Sequence, residues 1–395
     1  MLYTPKSEIQ ARINKLQDML VENQVDGVLV VQSVDLFYLT GTAQNAHLYV
    51  PAQGEPVLMV RKSLDRAIQE SPLDKIISVS SIKKIPGILA ANGYKIPQTL
   101  GVELDVIPAA NYLLYRQIFE QSKLVDASGF IRAMRMIKSD FEVGLQRFSG
   151  QKMNELFRAI PGMIREGMSE IELAARIEGK ARALGHSGVV NVRSFNQSSF
   201  FGVVAAGATA VTPSSFDGPA NGTGLTPSQP QSAGLKAISD NEPIIVDIAG
   251  VWDSYITDQT RIFSIGPMSG KLAEAFELSR KIQDAVINRI EPGICGSELH
   301  QLALEMAEAA GLSENFMGFG PDQAKFLGHG VGLELDELPV LAAGVKLSLQ
   351  PGMVFAVEPK FAFPGEGVVG IENTWVLTES GVARLTSTPD EIVIL

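Results

Sequence analysis

Acidic side chains stand inside segments that otherwise predict buried β-strands, and they constrain the fold more than any other feature of this sequence. Asp247 lies in the apolar run PIIVDIAG, Glu358 ends the run GMVFAVEP, and Glu372 lies in the middle of VVGIENTWVLT. A buried carboxylate is costly unless a cation neutralises it. Few Lys or Arg residues stand near Glu358 or Glu372 in the sequence, so the carboxylates need partners from elsewhere, and a metal ion is the first candidate.

Two further residues extend this set of candidate metal ligands. Asp258 follows Asp247 by eleven residues, and the polar turn Asp253-Ser254 between them predicts a hairpin with both aspartates on one face. His329 stands between two glycines, which let a backbone approach a ligand closely, and imidazole is a common metal ligand. Taken singly, each aspartate also fits a turn or edge strand, and the histidine fits a structural role. Together, four carboxylates and one imidazole predict a pair of divalent cations and metal-assisted hydrolysis.

Length and charge set the broad class of the protein. A chain of 395 residues favours two domains. The formal net charge of −11 argues against nucleic acid and anionic membranes as partners. A single cysteine, Cys295, cannot form an intrachain disulfide. The segment MLYTPKSEIQARINK lacks the apolar core of a signal peptide, and no run approaches the roughly 18 apolar residues of a membrane span, so we expect a cytoplasmic enzyme.

The first third of the chain predicts a small α/β domain, residues 1–135. Ser7 and Gln10 form a capping-box pattern that predicts the start of a helix. Apolar runs predict strands, and these alternate with helical patterns; the runs lie at 27–31, 57–60 and 76–80. The sequence shows no tight cluster of titratable groups in this domain.

The remainder, residues 145–395, predicts a second domain with a weak internal repeat. Residues 167–185 align without gaps to residues 293–311, which indicates either a duplication or a chance match between helices of simple composition. A loop rich in Gly, Pro and Ser over 208–234 is either a substrate-facing segment or a solvated insertion.

Together these motifs resemble the creatinase/aminopeptidase family, which is the M24 or pita-bread family of methionine aminopeptidase, aminopeptidase P and prolidase. The resemblance is carried by the D-x10-D pair, the GHGxG box, the EP element and the late IE element, in this order and at fitting intervals. The segment GVLVVQSVDLFYLTG resembles the creatinase-type N-terminal domain of the proline-specific members. The resemblance implies an α/β (α+β) fold with a creatinase-type N-terminal domain, followed by a pseudo-symmetric pita-bread catalytic domain.

The resemblance also implies a ligand set and an activity. It makes Asp247, Asp258, His329, Glu358 and Glu372 the ligands of two divalent metal ions, which are Mn, Co, Zn or Fe. Asp258 then contacts both metals, Glu372 bridges them, and Glu358 is also the catalytic residue that accepts a proton from the activated water. The implied protein is a homodimeric metallopeptidase that cleaves short Xaa-Pro-like peptides or a related small amide.

Four positions depart from the family pattern. Asp336, Lys325 and Ser214 stand where proline-specific members carry histidines, and Gly370 stands where an arginine is usual. Those residues orient substrate, so we expect an altered substrate preference and assign Lys325, Asp336 and Ser214 as candidate substrate-binding residues, with simple surface roles as the alternative. Two other functions stay open at this point: a non-peptidase member such as a creatinase-like C–N hydrolase, and a catalytically silent homologue used for binding.

Overall fold

The computed structural model describes residues 2–193, 195 and 201–395 of the chain. The chain divides into two compact units, Met1–Arg135 and Met136–Leu395. Across the described residues, no helix combines the length and the apolar character that crossing a membrane requires.

The first unit is built from alternating helices and strands. Its helices are α1 (Lys6–Glu22), α2 (Ser33–Thr40), α3 (Leu64–Glu70), α4 (Ile85–Ala91), α5 (Ala109–Ile118) and α6 (Ser128–Met136). Its strands are β1 (Gly27–Val30), β2 (Ala46–Pro51), β3 (Val57–Val60), β4 (Ile76–Ser78), β5 (Thr99–Val102) and β6 (Lys123–Asp126). They form one mixed sheet in the order β4-β3-β2-β1-β5-β6, in which β2 runs antiparallel to both of its neighbours. The three strands predicted in this region are confirmed.

Two expectations for the first unit are wrong. Helix α1 begins at Lys6 with Pro5 as its N-cap and no side-chain cap, so Ser7 and Gln10 do not form a capping box. The unit also contains a buried group of charges, because Arg135 pairs with Asp35 at 2.6 Å and Glu103 is fully buried close to Asp35. These residues are far apart in the sequence, which is why the sequence pattern did not reveal the group.

The helices of the second unit repeat one arrangement twice. Its helices are α7 (Asp140–Ala159), α8 (Glu170–Ala183), α9 (Gly270–Arg289) and α10 (Gly296–Ala309). In each pair a helix of 20 residues precedes a helix of 14 residues. The segments with the weak sequence repeat contain α8 and α10, the shorter helix of each pair, and a duplication stays a prediction.

The strands described in the second unit form three sheets. They are β7 (Gly202–Ala206), β8 (Ile244–Trp252), β9 (Tyr255–Ser264), β10 (Phe326–Gly330), β11 (Glu337–Ala342), β12 (Val354–Val357), β13 (Lys360–Phe363), β14 (Gly367–Gly370), β15 (Asn373–Thr378), β16 (Gly381–Arg384) and β17 (Val393–Ile394). One sheet has the order β17-β9-β8-β7, a second has the order β11-β10-β12-β15-β16, and β13 pairs with β14. An isolated bridge between Thr260 and Glu372 brings β9 close to the start of β15, and the candidate ligands lie around this junction.

Candidate metal centre

The two aspartates lie on one face of a hairpin, as the sequence predicts. Strands β8 and β9 pair antiparallel with Asp247 opposite Thr260 and Ala249 opposite Asp258. Because side chains alternate along a strand, Asp247 and Ala249 share a face, and Asp258 lies on that same face. The turn residues Asp253 and Ser254 have φ values of 47° and 74°. Two positive values fit the tight hairpin turn whose twist matches the flanking strands.

His329 lies in β10 and is held in one tautomer by the backbone. Its Nδ1 atom lies 3.0 Å from the carbonyl oxygen of Leu335 and 3.3 Å from that of Gly330. A carbonyl can only accept, so Nδ1 carries the proton and donates it, which leaves the lone pair of Nε2 for a metal ion. The sequence predicts that Gly328 lets the backbone approach a ligand. Instead, a Cβ at this position would collide with the carbonyl oxygen of Ala356 on β12. The close neighbour is a strand backbone rather than a ligand.

Glu358 and Glu372 each direct one oxygen toward His329. Nε2 of His329 lies 3.5 Å from Oε1 of Glu358 and 3.9 Å from Oε1 of Glu372. The same nitrogen lies 3.9 Å from Oδ2 of Asp258. Glu358 directly follows β12, whereas Glu372 lies between β14 and β15, so the predicted position of Glu372 in the middle of one strand is wrong. The structure therefore brings all of these side chains together, with Asp247 adjacent through the hairpin.

The acid–base properties of the cluster indicate an excess of buried negative charge. Burial raises the pKa of Glu358 and raises that of Asp247 to about 6. Burial and the neighbouring carboxylates raise the pKa of Asp258 well above its usual range. Burial lowers the pKa of His329, but the carboxylates around it, Asp336 first, outweigh that effect and raise it. Such a site attracts positive charge.

Lys360 supplies a positive charge that the sequence analysis did not recognise. Its Nζ atom donates hydrogen bonds to Oε2 of Glu358 at 2.6 Å, Oδ2 of Asp247 at 3.0 Å and Oε2 of Glu372 at 3.0 Å. The side chain is fully buried, and the three carboxylates raise the pKa of Lys360 well above its usual value against the effect of burial. The signal was present in the sequence, because a lysine opens the apolar strand KFAF two residues after Glu358.

The residues present fit a divalent cation at one of two ligand groups. Ligand atoms of Asp258, His329 and Glu372 lie within 4.8 Å of one another, and so do those of Asp247, Glu358 and Glu372. In the first group, Oε1 of Glu372 is buried and has no hydrogen-bond partner among the described residues. A buried oxygen without a partner is costly, and a cation would satisfy it. In the second group, the ammonium group of Lys360 already contacts all three carboxylates.

The three candidate substrate-binding residues lie in different places. Oδ1 of Asp336 lies 3.6 Å from Nδ1 of His329, and the aspartate is 41% exposed at the edge of the site. Lys325 is exposed, and Ser214 donates a hydrogen bond to Oδ1 of Asn221. Of the residues that the structure describes, Asp336 lines the pocket above the ligands, whereas Lys325 and Ser214 do not.

A partly apolar pocket opens over the ligand cluster. Its walls contain Asp247, Asp258, His329, Glu358 and Glu372. The pocket is also lined by apolar residues, which are Val203, Phe216, Pro219, Ala220, Ala249, Phe326 and Leu335. Residues 216–220 belong to the long Gly-, Pro- and Ser-rich loop, so at least this part of the loop faces the pocket, and it is not purely a solvated insertion.

Comparisons with known proteins agree along nearly the whole chain. The model of metallopeptidase family M24 matches residues 145–379, and that of the creatinase/prolidase N-terminal domain matches residues 12–137. An Xaa-Pro dipeptidase of Lactobacillus delbrueckii subsp. lactis is 28% identical over 393 residues, which covers 97% of this chain and 98% of that protein. An Xaa-Pro dipeptidase of Pyrococcus furiosus is 26% identical over 389 residues and covers 98% of this chain and 100% of that protein. The solved structure of an Xaa-Pro dipeptidase from Bacillus anthracis has a TM-score of 0.84 at 24% identity, covers 98% of this chain and 100% of that one, and shows the shared fold.

Proposed function

Because the chain belongs to metallopeptidase family M24, we propose that it hydrolyses short peptides at an Xaa-Pro bond, as the names of its curated relatives say of those proteins. The membership confirms the predicted family, fold class and hydrolase class. It does not favour the alternatives of a creatinase-like C–N hydrolase or a catalytically silent homologue. The observation that carries the proposal is the convergence of Asp258, Glu358 and Glu372 on Nε2 of His329 beneath an open pocket.

Asp258, His329 and Glu372 are the residues that we propose to hold a divalent cation. When bound, such an ion polarises a substrate carbonyl and makes water more acidic. The donor on Nδ1 of His329 fixes the imidazole ring so that Nε2 faces the ligand position. The ligand set accepts Mn, Co, Zn or Fe, and we propose manganese as the first ion to test.

Glu358 is the residue that we propose to move protons. Burial raises the pKa of this carboxyl group, which makes it a better acceptor for a proton of the attacking water that it then returns to the leaving nitrogen. The hydrogen bond from Lys360 to Oε2 holds the carboxylate so that Oε1 faces the imidazole of His329. Lys360 is therefore a positioning residue for Glu358.

The apolar wall of the pocket supports the choice of an Xaa-Pro substrate. A proline residue in a substrate has no N–H to donate and presents an apolar ring. Phe216, Pro219 and Phe326 offer an apolar surface close to the ligand cluster. We propose that Asp336, at the pocket edge, accepts hydrogen bonds from the free α-ammonium group of the peptide. Substrate contact by Lys325 and Ser214 and assembly as a homodimer stay predictions from the family resemblance, and a cytoplasmic location stays a prediction from the sequence.

A substrate panel tests the proposed function. The protein, reconstituted in turn with Mn²⁺, Co²⁺ and Zn²⁺, is assayed on Xaa-Pro dipeptides and tripeptides beside matched Xaa-Ala peptides. We expect release of the amino acid before proline, a preference for the proline peptides, and loss of turnover in Glu358→Gln. A metal-loaded protein that cleaves none of these peptides would contradict the proposal and favour another small-molecule substrate.

A further inference from the structure

Lys360 occupies the centre of one of the two ligand groups. Its Nζ atom lies 2.6–3.0 Å from one oxygen each of Asp247, Glu358 and Glu372. These three residues are the members of one candidate metal group. A divalent transition metal would bind the same oxygens at about 2.0–2.2 Å. An ammonium nitrogen and a metal ion cannot share this space, because both would lie between the same three oxygens and their positive charges would repel.

The other ligand group is left open by this arrangement. Oε2 of Glu372 faces Lys360, whereas Oε1 faces His329 and has no hydrogen-bond partner among the described residues. The two carboxylate oxygens of Glu358 also have different neighbours: Oε2 contacts Lys360, and Oε1 lies toward His329. The two glutamates therefore contact an ammonium group with one oxygen and the imidazole side of the cluster with the other.

The backbone around Lys360 is built to hold its side chain in this place. Lys360 begins β13 and is paired with Gly370 of β14. A Cβ at position 370 would lie 2.6 Å from Cα and from Cγ of Lys360, so a side chain there would collide with the lysine stem. Gly370 stands where the family resemblance leads one to expect an arginine. The same Cβ would lie 2.6 Å from the carbonyl oxygen of Pro359, so Gly370 leaves room for the β13 backbone as well as for the lysine stem.

We propose that the ammonium group of Lys360 replaces one cation of the expected pair, so that the protein binds a single divalent metal ion through Asp258, His329 and Glu372. This inference rests on the proposed function only in requiring a metal site, and it holds whichever peptide is cleaved. It also assigns different tasks to the five predicted ligands. Asp247 and Glu358 are held by Lys360, and Glu358 keeps one oxygen free beside the metal position.

Metal stoichiometry tests the inference without any substrate. The full-length protein is stripped with chelator, dialysed against Mn²⁺ and analysed for metal per chain, and its electron paramagnetic resonance spectrum is recorded. We expect about one Mn²⁺ per chain with the spectrum of an isolated ion. In Lys360→Met the three carboxylates lose their ammonium partner, and we expect uptake of a second ion with the spectrum of a coupled pair.

One control variant and the wild-type measurement make the outcome decisive. Lys271→Met removes a lysine from an exposed ion pair with Glu366 and should leave the stoichiometry at about one. Two Mn²⁺ ions per chain in the wild-type protein would overturn the inference, and this measurement does not depend on the folding of any variant. No bound Mn²⁺ in the wild-type protein would overturn it as well. A failure of the peptide panel with one ion bound would refute only the proposed substrate.

Discussion

Replacing Lys360 by methionine should strongly destabilise the second unit in metal-free buffer. Methionine keeps most of the stem volume, so the change mainly removes the charge and its three hydrogen bonds. Removing one partner of a buried ion pair costs about 3–5 kcal/mol, because an uncompensated charge remains. Lys360 is 0% exposed and contacts three carboxylates, which places the expected loss within this range. It is a large fraction of the roughly 5–15 kcal/mol by which a domain is stable.

The unfolding of the second unit can be followed selectively. Both tryptophans of the chain, Trp252 and Trp375, belong to this unit, so their fluorescence reports its unfolding by urea. The measurement is made with a chelator at pH 8, above the value of about 6 to which burial raises the pKa of Asp247. Lys271→Met is the matched control, because its ion pair with Glu366 is 55% and 39% exposed and such pairs contribute about 0–1 kcal/mol. If Lys360→Met loses no more stability than this control, the described role of Lys360 as neutralising partner is refuted.

Three further predictions address other residues. Glu358→Gln should lower peptide hydrolysis by about 10²–10⁴-fold while metal content stays at about one ion per chain. If the variant also loses its metal, Glu358 is itself needed to hold the ion, which would contradict the proposed ligand set of Asp258, His329 and Glu372. Gly370→Ala should cost about 1–3 kcal/mol in the urea titration, because its Cβ would collide with the backbone of Pro359 and Lys360 and with the lysine stem, whereas Gly144→Ala, in a helix with open space around it, should be neutral or slightly stabilising. Burial, assisted by Arg61, lowers the pKa of His47 from 6.5 to about 4, so the folded protein resists protonation there and stability is lost as pH falls from 6.5 toward 4. Amide exchange in β2 should show that up to about 3 kcal/mol of stability is lost over this pH range. His47→Gln should remove this loss. If the variant shows the same pH dependence as the wild-type protein, His47 is not its cause.

The hairpin and the ligands could be predicted because their signals are local. The turn at Asp253 and Ser254 sets the register of β8 and β9, and that register alone places Asp247 and Asp258 on one face. Acidic residues inside apolar strands indicate a need for buried cations wherever the strands end up. The sequence therefore predicted which side chains converge, and their role as metal ligands stays a prediction.

The lysine beside Glu358 is visible in the sequence, but its contacts with Asp247 and Glu372 could not be predicted from a sequence pattern. Lys360 is close to Glu358 in the chain, but its partnership with Asp247 depends on the pairing of β13 with β14 and on the missing side chain at Gly370. The buried pair of Asp35 and Arg135 escaped notice for the same reason, because 100 residues separate its members.

Anomalous diffraction from a crystal of the Mn²⁺-loaded wild-type protein tests the central claim most directly. We expect one anomalous peak per chain, bounded by Asp258, His329 and Glu372, with the side chain of Lys360 still against Asp247 and Glu358. Two peaks about 3.5–4 Å apart, with the lysine displaced from the carboxylates, would contradict the account.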